Sequence, residues 1–257
     1  MRLRIIQNLE LDTDFKMKLL VNIFVAVLLF VSCGDDPCFK GSGNTVIETR
    51  DLPDSIITFQ VSDNLNVDVF LSDRNYVEIE GGENVVPYVS VEMSDTVLLL
   101  KNNNKCNFLR DFDQHLKVRL YLTSITRFMF DGSGVLNIKD TLKVNELLVK
   151  SLRGSGTINL VVNVNRIRIS LEDGSVDVHV AGLAYYLNTY LTTSSTIDAR
   201  FLLTTTCGIS TESAGDMIVN VSESIYASIY SIGDILYHGS PDIIIEAHEG
   251  SGQLINY

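Results

Sequence analysis

A short turn motif recurs through the C-terminal half of the chain at intervals of 18 to 22 residues. Seven copies align, and each places an aliphatic residue two positions after a small residue. The small residue is Ser195 in one copy and glycine in the other six: Gly134, Gly156, Gly174, Gly215, Gly233 and Gly252. The aliphatic residues are Leu136, Ile158, Val176, Ile197, Met217, Ile235 and Leu254. A period near 20 residues is typical of a solenoid, in which each coil buries its apolar side chains by stacking on its neighbours.

The residues beyond the turns alternate between apolar and polar. Val176, Val178 and Val180 alternate with Asp177 and His179. A period of two places one set inside and the other in solvent, as in a β-strand. We expect the turn glycines to adopt positive φ angles and to leave room for the neighbouring coil, because glycine has no Cβ.

The whole mature chain is predicted to be all-β, a β-solenoid with coils of about 20 residues. Apolar residues make up 46% of the 257 positions and are mostly Val, Ile, Leu, Tyr and Phe, which favour strands over helices. The same alternation occurs upstream at residues 65–69, 89–93 and 116–120. We predict one continuous domain over residues 46–257, in which the upstream strands cap or continue the stack. Two smaller domains are the alternative.

The first 33 residues are predicted to be an export signal. Lys16 and Lys18 precede an apolar run over residues 19–31, which is a signal-peptide layout. A helix rises about 1.5 Å per residue, so the run would span roughly 20 Å against a hydrocarbon core of ~30 Å. A cleaved signal is therefore favoured over an uncleaved anchor.

The end of the apolar run resembles a bacterial lipobox. Residues 29–33 read Leu-Phe-Val-Ser-Cys, with Phe30 where the pattern usually has Leu. The resemblance implies lipidation of Cys33 and attachment to the outer membrane. Acidic residues before Met17 indicate that translation starts there, and residues 34–45 are predicted to be a flexible tether.

Charge and cysteine content argue against several functional classes. The chain has 20 basic and 32 acidic residues, for a net charge of −12, so a phosphate backbone would be repelled and nucleic acid is not an expected partner. No zinc-binding Cys or His motif is present, and neither a metal nor a cofactor is predicted. Cys38 and Cys106 are the expected disulfide pair in an oxidising compartment, with unpaired buried cysteines as the alternative.

Three features carry a resemblance to a known family. They are FQVSDNLNVDV at residues 59–69, EIEGGENVVPY at 78–88, and the Gly-Ser-Gly turns, including GTIN at 156–159. The sequence resembles the bacterial putative auto-transporter adhesin family with the head GIN domain. The resemblance implies a right-handed single-stranded β-helix, export and a role at the cell surface. It brings no catalytic residues.

One candidate ligand face follows from the repeat alignment. Asp177 and Asp198 each come just after a turn, so we expect them in vertical register about 4.8 Å apart, where they would bind a cation or a sugar. Tyr185 and Tyr186 cluster nearby and would stack on sugar rings. The plain alternatives are a solvated acidic row and half-buried strand tyrosines.

These observations favour an envelope lipoprotein whose non-catalytic solenoid mediates adhesion or protein interaction. No nucleophile elbow or phosphate-binding loop is present, so an enzyme is not predicted. A carbohydrate-binding or carbohydrate-active β-helix is the alternative, and a structural envelope component is a third reading. The sequence leaves open which protein or glycan is bound and whether the domain faces the periplasm or the cell exterior. Asp-Ser/Thr-aliphatic triplets at 54–56, 95–97 and 140–142 resemble bacterial O-glycosylation acceptors.

Overall fold

The computed structural model of the protein describes residues 41–105 and 116–257. Nearly all of these residues belong to one compact unit. The signal peptide, the lipobox with Cys33, most of the tether and the predicted Cys38–Cys106 pair lie outside the described residues. Within the described ranges no helix is long and apolar enough to cross a membrane.

Nine strands and one short helix form the first part of this unit. The strands are β1 (Thr45–Asp51), β2 (Thr58–Asp63), β3 (Asn66–Leu71), β4 (Tyr76–Gly82), β5 (Val89–Ser94), β6 (Val97–Asn102), β7 (Lys117–Leu122), β8 (Arg127–Gly132) and β9 (Val135–Leu142). A single 3-10 turn at Val86–Tyr88 lies between β4 and β5.

Eight further strands, four of them long, form the second part. They are β10 (Glu146–Ser151), β11 (Thr157–Leu171), β12 (Asp177–Thr193), β13 (Thr196–Ser213), β14 (Met217–Ile229), β15 (Ile235–His238), β16 (Asp242–His248) and β17 (Leu254–Asn256). The long strands bend from one face of the solenoid to the next. The predicted β-solenoid is therefore confirmed.

Two ladders of parallel strands run along the stack. The first ladder contains β6, β2, β8, β10, the later halves of β11 to β14, and β16. The second contains β7, β3, β9, the earlier halves of β11 to β14, then β15 and β17. Stacking places equivalent side chains of successive coils directly above one another.

The inward positions form continuous apolar rows. One row runs along the second ladder and is buried at every coil but the last: Leu136, Ile158, Val178, Ile197, Met217 and Ile235. Each of these side chains packs on equivalents from the coils above and below. Burial of a full aliphatic side chain contributes about 1.5–3 kcal/mol, so the row explains why the aliphatic position of the repeat is so regular.

The third copy of the sequence repeat was aligned wrongly. Val178, not Val176, pairs with Ile158 and Ile197, so the true register differs by two residues. Val176 is also buried, and its backbone N–H donates to the Ser195 side chain. The error arose because Gly174 stacks on Gly154, the first glycine of the preceding turn, rather than on the second.

The turn glycines are required by close approach of neighbouring coils. A Cβ on Gly156 would lie 2.0 Å from the carbonyl oxygen of Gly134, and one on Gly252 would lie 2.2 Å from that of Gly233. None of the six predicted turn glycines has a positive φ, so that part of the expectation is wrong. Their role is to let one backbone lie against the next.

Coil order differs from chain order near the N-terminus. The coil formed by β2 and β3 lies between the β6–β7 coil and the β8–β9 coil. Antiparallel strands then cover the outer side of β6–β7: β5 pairs with β6, β4 with β7, and β1 with β4. We call β1, β4, β5 and the 3-10 turn the closed end, and β15 to β17 the open end.

Candidate functional site

The two candidate carboxylates lie in different rows of the solenoid. Asp177 pairs with Thr196, whereas Asp198 pairs with His179. The predicted vertical register of Asp177 and Asp198 is therefore wrong, and it fails because of the two-residue error in the third repeat. The Thr196 hydroxyl donates to Asp177 Oδ1 over 2.6 Å, so the Asp177 carboxylate is hydrogen-bonded to the residue that pairs with it in the next coil.

Asp198 closes a polar row on the outside of the second ladder. The row runs Asp68, Asn137, Asn159, His179, Asp198, and the side chain of Asn159 donates to that of Asn137 over 2.8 Å. Such side-chain ladders stabilise stacked coils. Asn137 in turn donates to Asp68, so the first three members of the row use one another as hydrogen-bond partners.

The charge of Asp198 is held by a local arginine. Arg200 Nε lies 2.8 Å from Asp198 Oδ1 and donates to it. Burial acts to raise the pKa of Asp198, but the hydrogen bonds and charge of Arg200 outweigh it and leave the pKa below its ordinary value. Among the described residues no group of three or more His, Cys, Asp or Glu side chains is arranged to hold a metal ion.

Tyr185 belongs to an exposed apolar patch on the outer side of three coils. The apolar patch comprises Val161, Leu183, Tyr185, Phe201 and Leu203, whose exposed fractions are 39%, 50%, 60%, 75% and 50%. Contiguous exposed apolar surface on a soluble domain typically marks an interaction site.

Strand register explains why these side chains meet. Ala181 pairs with both Val161 and Phe201, and Leu183 pairs with Leu203. Tyr185 follows Leu183 by two residues and so faces the same way. The sequence analysis identified only Tyr185, although each of the others occupies an outward position in a strand that alternates.

Tyr186 faces a different surface from Tyr185, because β12 bends between them: the pairing of its earlier half ends at Ala184, and that of its later half begins at Tyr186. It lines a cavity of about 260 Å³ on the first ladder, whose other walls include Asn188, Gly208, Tyr226 and Glu246. A Cβ on Gly208 would lie 2.6 Å from the Tyr186 hydroxyl, so the glycine leaves room for this side chain, and we call the cavity the tyrosine groove. The two tyrosines predicted to act together therefore serve separate surfaces.

A second groove adjoins the first and is lined by arginines. This arginine groove has a volume of about 440 Å³, and its walls include Arg127, Arg166, Arg168, Glu146 and Leu148. The guanidinium of Arg166 lies 5.3 Å from the centre of the Tyr186 ring, which connects the two grooves. The sequence signal for it is the Arg-Ile-Arg alternation in β11, in which Ile167 is buried and the two arginines are exposed.

The one described cysteine is not a reactive group. Cys207 is fully buried and unpaired, and burial raises the pKa of its thiol to about 12. Its environment is that of a small core residue. Of the three glycosylation triplets, two expose their hydroxyl residue, Ser55 and Thr141, while Thr96 is half-buried.

The family comparison agrees with the repeat and the fold. The model of the family described as putative auto-transporter adhesin, head GIN domain, matches residues 57–241. The chain belongs to this family. The match includes every strand from β2 to β15, and with them the polar row and the apolar patch. Among curated proteins, no match to the chain is found.

Solved structures of adhesin-like proteins share the fold. A putative adhesin from Bacteroides fragilis is 21% identical, with a TM-score of 0.75 over 83% of this chain and 97% of its own. A putative adhesin from Parabacteroides distasonis is 18% identical, with a TM-score of 0.65 over 84% and 98%. A putative lipid binding protein from the same species is 22% identical, with a TM-score of 0.55 over 83% and 97%. At these identities the likeness establishes the fold alone.

Proposed function

We propose that this protein is an envelope lipoprotein whose solenoid mediates adhesion by binding a protein partner through the apolar patch, without catalysis. The observation that carries the proposal is the exposure of five apolar side chains on adjoining coils. Membership of an adhesin family supports the same role.

The chemistry of the patch favours a protein partner. Three of its five members are aliphatic, and aliphatic groups bury best against other apolar protein surface. Asn163 and Arg200, both exposed, lie beside patch residues and supply a polar rim. An apolar centre with aromatic residues and a polar rim is the usual composition of a protein interface.

Adherence of coated beads tests the proposal. Beads carrying the full chain are passed over an epithelial-cell monolayer and over a collagen-coated surface. The variant Phe201→Ser/Leu203→Ser removes the exposed centre of the patch and should lose most of the adherence, because buried aromatic and aliphatic anchors dominate interface energy. Both side chains are outward, so folding should be retained, as checked by circular dichroism.

The matched control is Ile232→Ser, which removes an apolar side chain that is 66% exposed outside the patch. It should adhere like the wild type. Equal adherence of the patch variant and the wild type would contradict the proposal, as would equal losses from the patch variant and the control.

Anchoring through Cys33 is the second part of the proposal. It is supported by the lipobox-like end of the apolar run at residues 29–33. Cells fed an alkyne-labelled palmitate should label the wild type and leave Cys33→Ser unlabelled. Protease treatment of intact cells should remove the solenoid if it faces outward, as adhesion requires, and persistence of the intact protein would place it in the periplasm.

A further inference from the structure

Three arginines converge on one groove although the chain carries a net charge of −12. Arg127, Arg166 and Arg168 are all exposed, and none forms an ion pair within the described residues. Other arginines of the solenoid, such as Arg119 and Arg200, are paired with carboxylates. The arginine groove is therefore a local concentration of unneutralised positive charge.

The strand register sets the spacing of the three charges. Leu148 pairs with Arg127 on one side and with Arg168 on the other, so two strand steps, about 10 Å, separate these two arginines. Arg166 precedes Arg168 by two residues on β11 and faces the same way. Glu146 pairs with Arg166 along the ladder and is the one carboxylate of the groove lining.

The tyrosine groove continues the same ladder. Arg168 pairs with Asn188, Asn188 with Gly208, and Gly208 with Tyr226. Tyr186 lies next to Arg166 in register and beneath its guanidinium. An elongated ligand crossing the coils would thus meet guanidinium groups first and then tyrosine rings and an amide, with Glu246 as the carboxylate of the tyrosine groove.

We propose that the arginine groove and the tyrosine groove form one binding site for an acidic polysaccharide. The planar guanidinium fork of arginine matches a carboxylate or sulfate with two parallel hydrogen bonds. Tyr186 and Tyr226 pack against sugar rings, and Asn188 hydrogen-bonds to hydroxyl groups. This site is separate from the apolar patch, so the inference does not depend on protein adhesion through that patch.

The surroundings favour a polysaccharide over a nucleic acid. Binding of a phosphate backbone needs many cations along the strand. Here the groove has three arginines, and the protein as a whole is strongly acidic. A polymer with spaced charges and neutral hydroxyls between them fits the change from arginines to polar and aromatic groups. The width of the site, from β8 across β10, β11, β12 and β13 to β14, suits a chain of several sugars rather than a single small anion.

Calorimetric titration of the full chain in detergent micelles tests the site. The probes are an oligogalacturonate, its neutral methyl ester, sulfated dextran and single-stranded DNA. The wild type should bind the oligogalacturonate, more weakly as salt increases. It should bind the methyl ester at least about tenfold more weakly, since the ester cannot accept the charge-assisted hydrogen bonds of the arginines. Sulfated dextran binding would identify sulfate as an accepted charge of the same polysaccharide class.

Two variants locate the binding. Arg166→Gln/Arg168→Gln should weaken oligogalacturonate binding at least about tenfold. Arg153→Gln, an exposed arginine outside both grooves, changes the net charge in the same direction and should leave binding within about twofold of the wild type, since surface charges that make no direct contact are screened by salt. Thermal unfolding followed by circular dichroism confirms that both variants fold.

The proposal is overturned if the wild type binds no acidic oligosaccharide. It is also overturned if the double variant binds as well as the wild type, if Arg153→Gln causes an equal loss, or if DNA binds at the same residues more tightly than the oligogalacturonate. Binding of the neutral ester with equal affinity would leave a carbohydrate site but remove the role of the arginines, and so would also contradict the proposal.

Discussion

At the closed end of the solenoid antiparallel strands cover the core, whereas at the open end the last coil leaves core-facing side chains in solvent. Ile79 of β4 is fully buried and Val86 of the 3-10 turn is 1% exposed. Ile243 and Ile245 occupy inward positions of β16, yet they are 39% and 45% exposed. The apolar side chains of the stack are therefore fully buried at the closed end and partly exposed at the open end.

The difference shows where a stacked fold needs extra structure. A coil in the middle gains a neighbour on both sides, but a terminal coil has one free strand edge and one uncovered apolar layer. At the closed end Arg50 fastens the cap by donating from Nη1 to the Val89 carbonyl oxygen over 2.6 Å. Within the described chain, β16 and β17 are each paired on one side only.

The largest effect is expected from adding a side chain at a turn glycine. Gly156→Val places a Cβ within 2.0 Å of the Gly134 carbonyl oxygen with coils on both sides, so we expect more than about 4 kcal/mol of destabilisation and little soluble protein. Gly252→Val makes a similar clash at the open end, but the last coil has room to move outward. Urea unfolding should show a much smaller loss of unfolding free energy for Gly252→Val than for Gly156→Val. Equal losses would contradict the proposed difference between the two ends.

A matched pair of isoleucines measures the packing at each end. Ile79→Ala should cost about 2–5 kcal/mol of unfolding free energy, because the site is fully enclosed. Ile245→Ala removes the same atoms from a half-exposed position and should cost about 1 kcal/mol or less, given the smaller area withdrawn from water. A larger loss from Ile245→Ala in chemical denaturation would show that the open end is covered in solution.

The periodic part of this fold was readable from local sequence. The glycine and aliphatic positions recur because each coil meets the same contacts, and the predicted rows hold for Ile158, Ile197 and Met217. The alignment of the third repeat was wrong because the sequence alone does not show whether Gly174 stacks on Gly154 or on Gly156. The order of coils at the closed end depends on pairings between β2, β6 and β8 that no local pattern reveals.

The outward surfaces were less predictable, because they too depend on pairings between strands that are distant in sequence. Arg127 and Arg168 are 41 positions apart in sequence, and only the register through Leu148 places them in one groove. Tyr185 and Tyr186 are neighbours in sequence, yet the bend of β12 between its two halves directs them to the apolar patch and the tyrosine groove respectively. Inward positions repeat from coil to coil, whereas outward positions vary, so function must be read after the register is known.

The smallest effect on stability is expected from an ion pair that joins β4 of the closed end to β7 of the adjacent coil. The hydrogen bond from Arg119 to Glu80 outweighs partial burial and holds the pKa of Glu80 below its ordinary value of 4.5. A depressed folded-state pKa stabilises the protein above the unfolded pKa, and that contribution is lost as pH falls through the folded value. Glu80→Gln should therefore slightly lower the melting temperature at pH 7, and its difference from the wild type should shrink as the pH falls below 4.5. A constant difference across this range would exclude the ionised carboxylate as its source.

Hydrogen–deuterium exchange resolved strand by strand tests the central claim, a stack of coils closed at one end and open at the other, most directly. Amides of β4, β5 and the coils from β6 to β13 should exchange slowly, while those of β15, β16 and β17 should exchange first, because fewer neighbours must separate to expose them. Uniform protection from β4 to β17, or faster exchange at the closed end, would contradict the account.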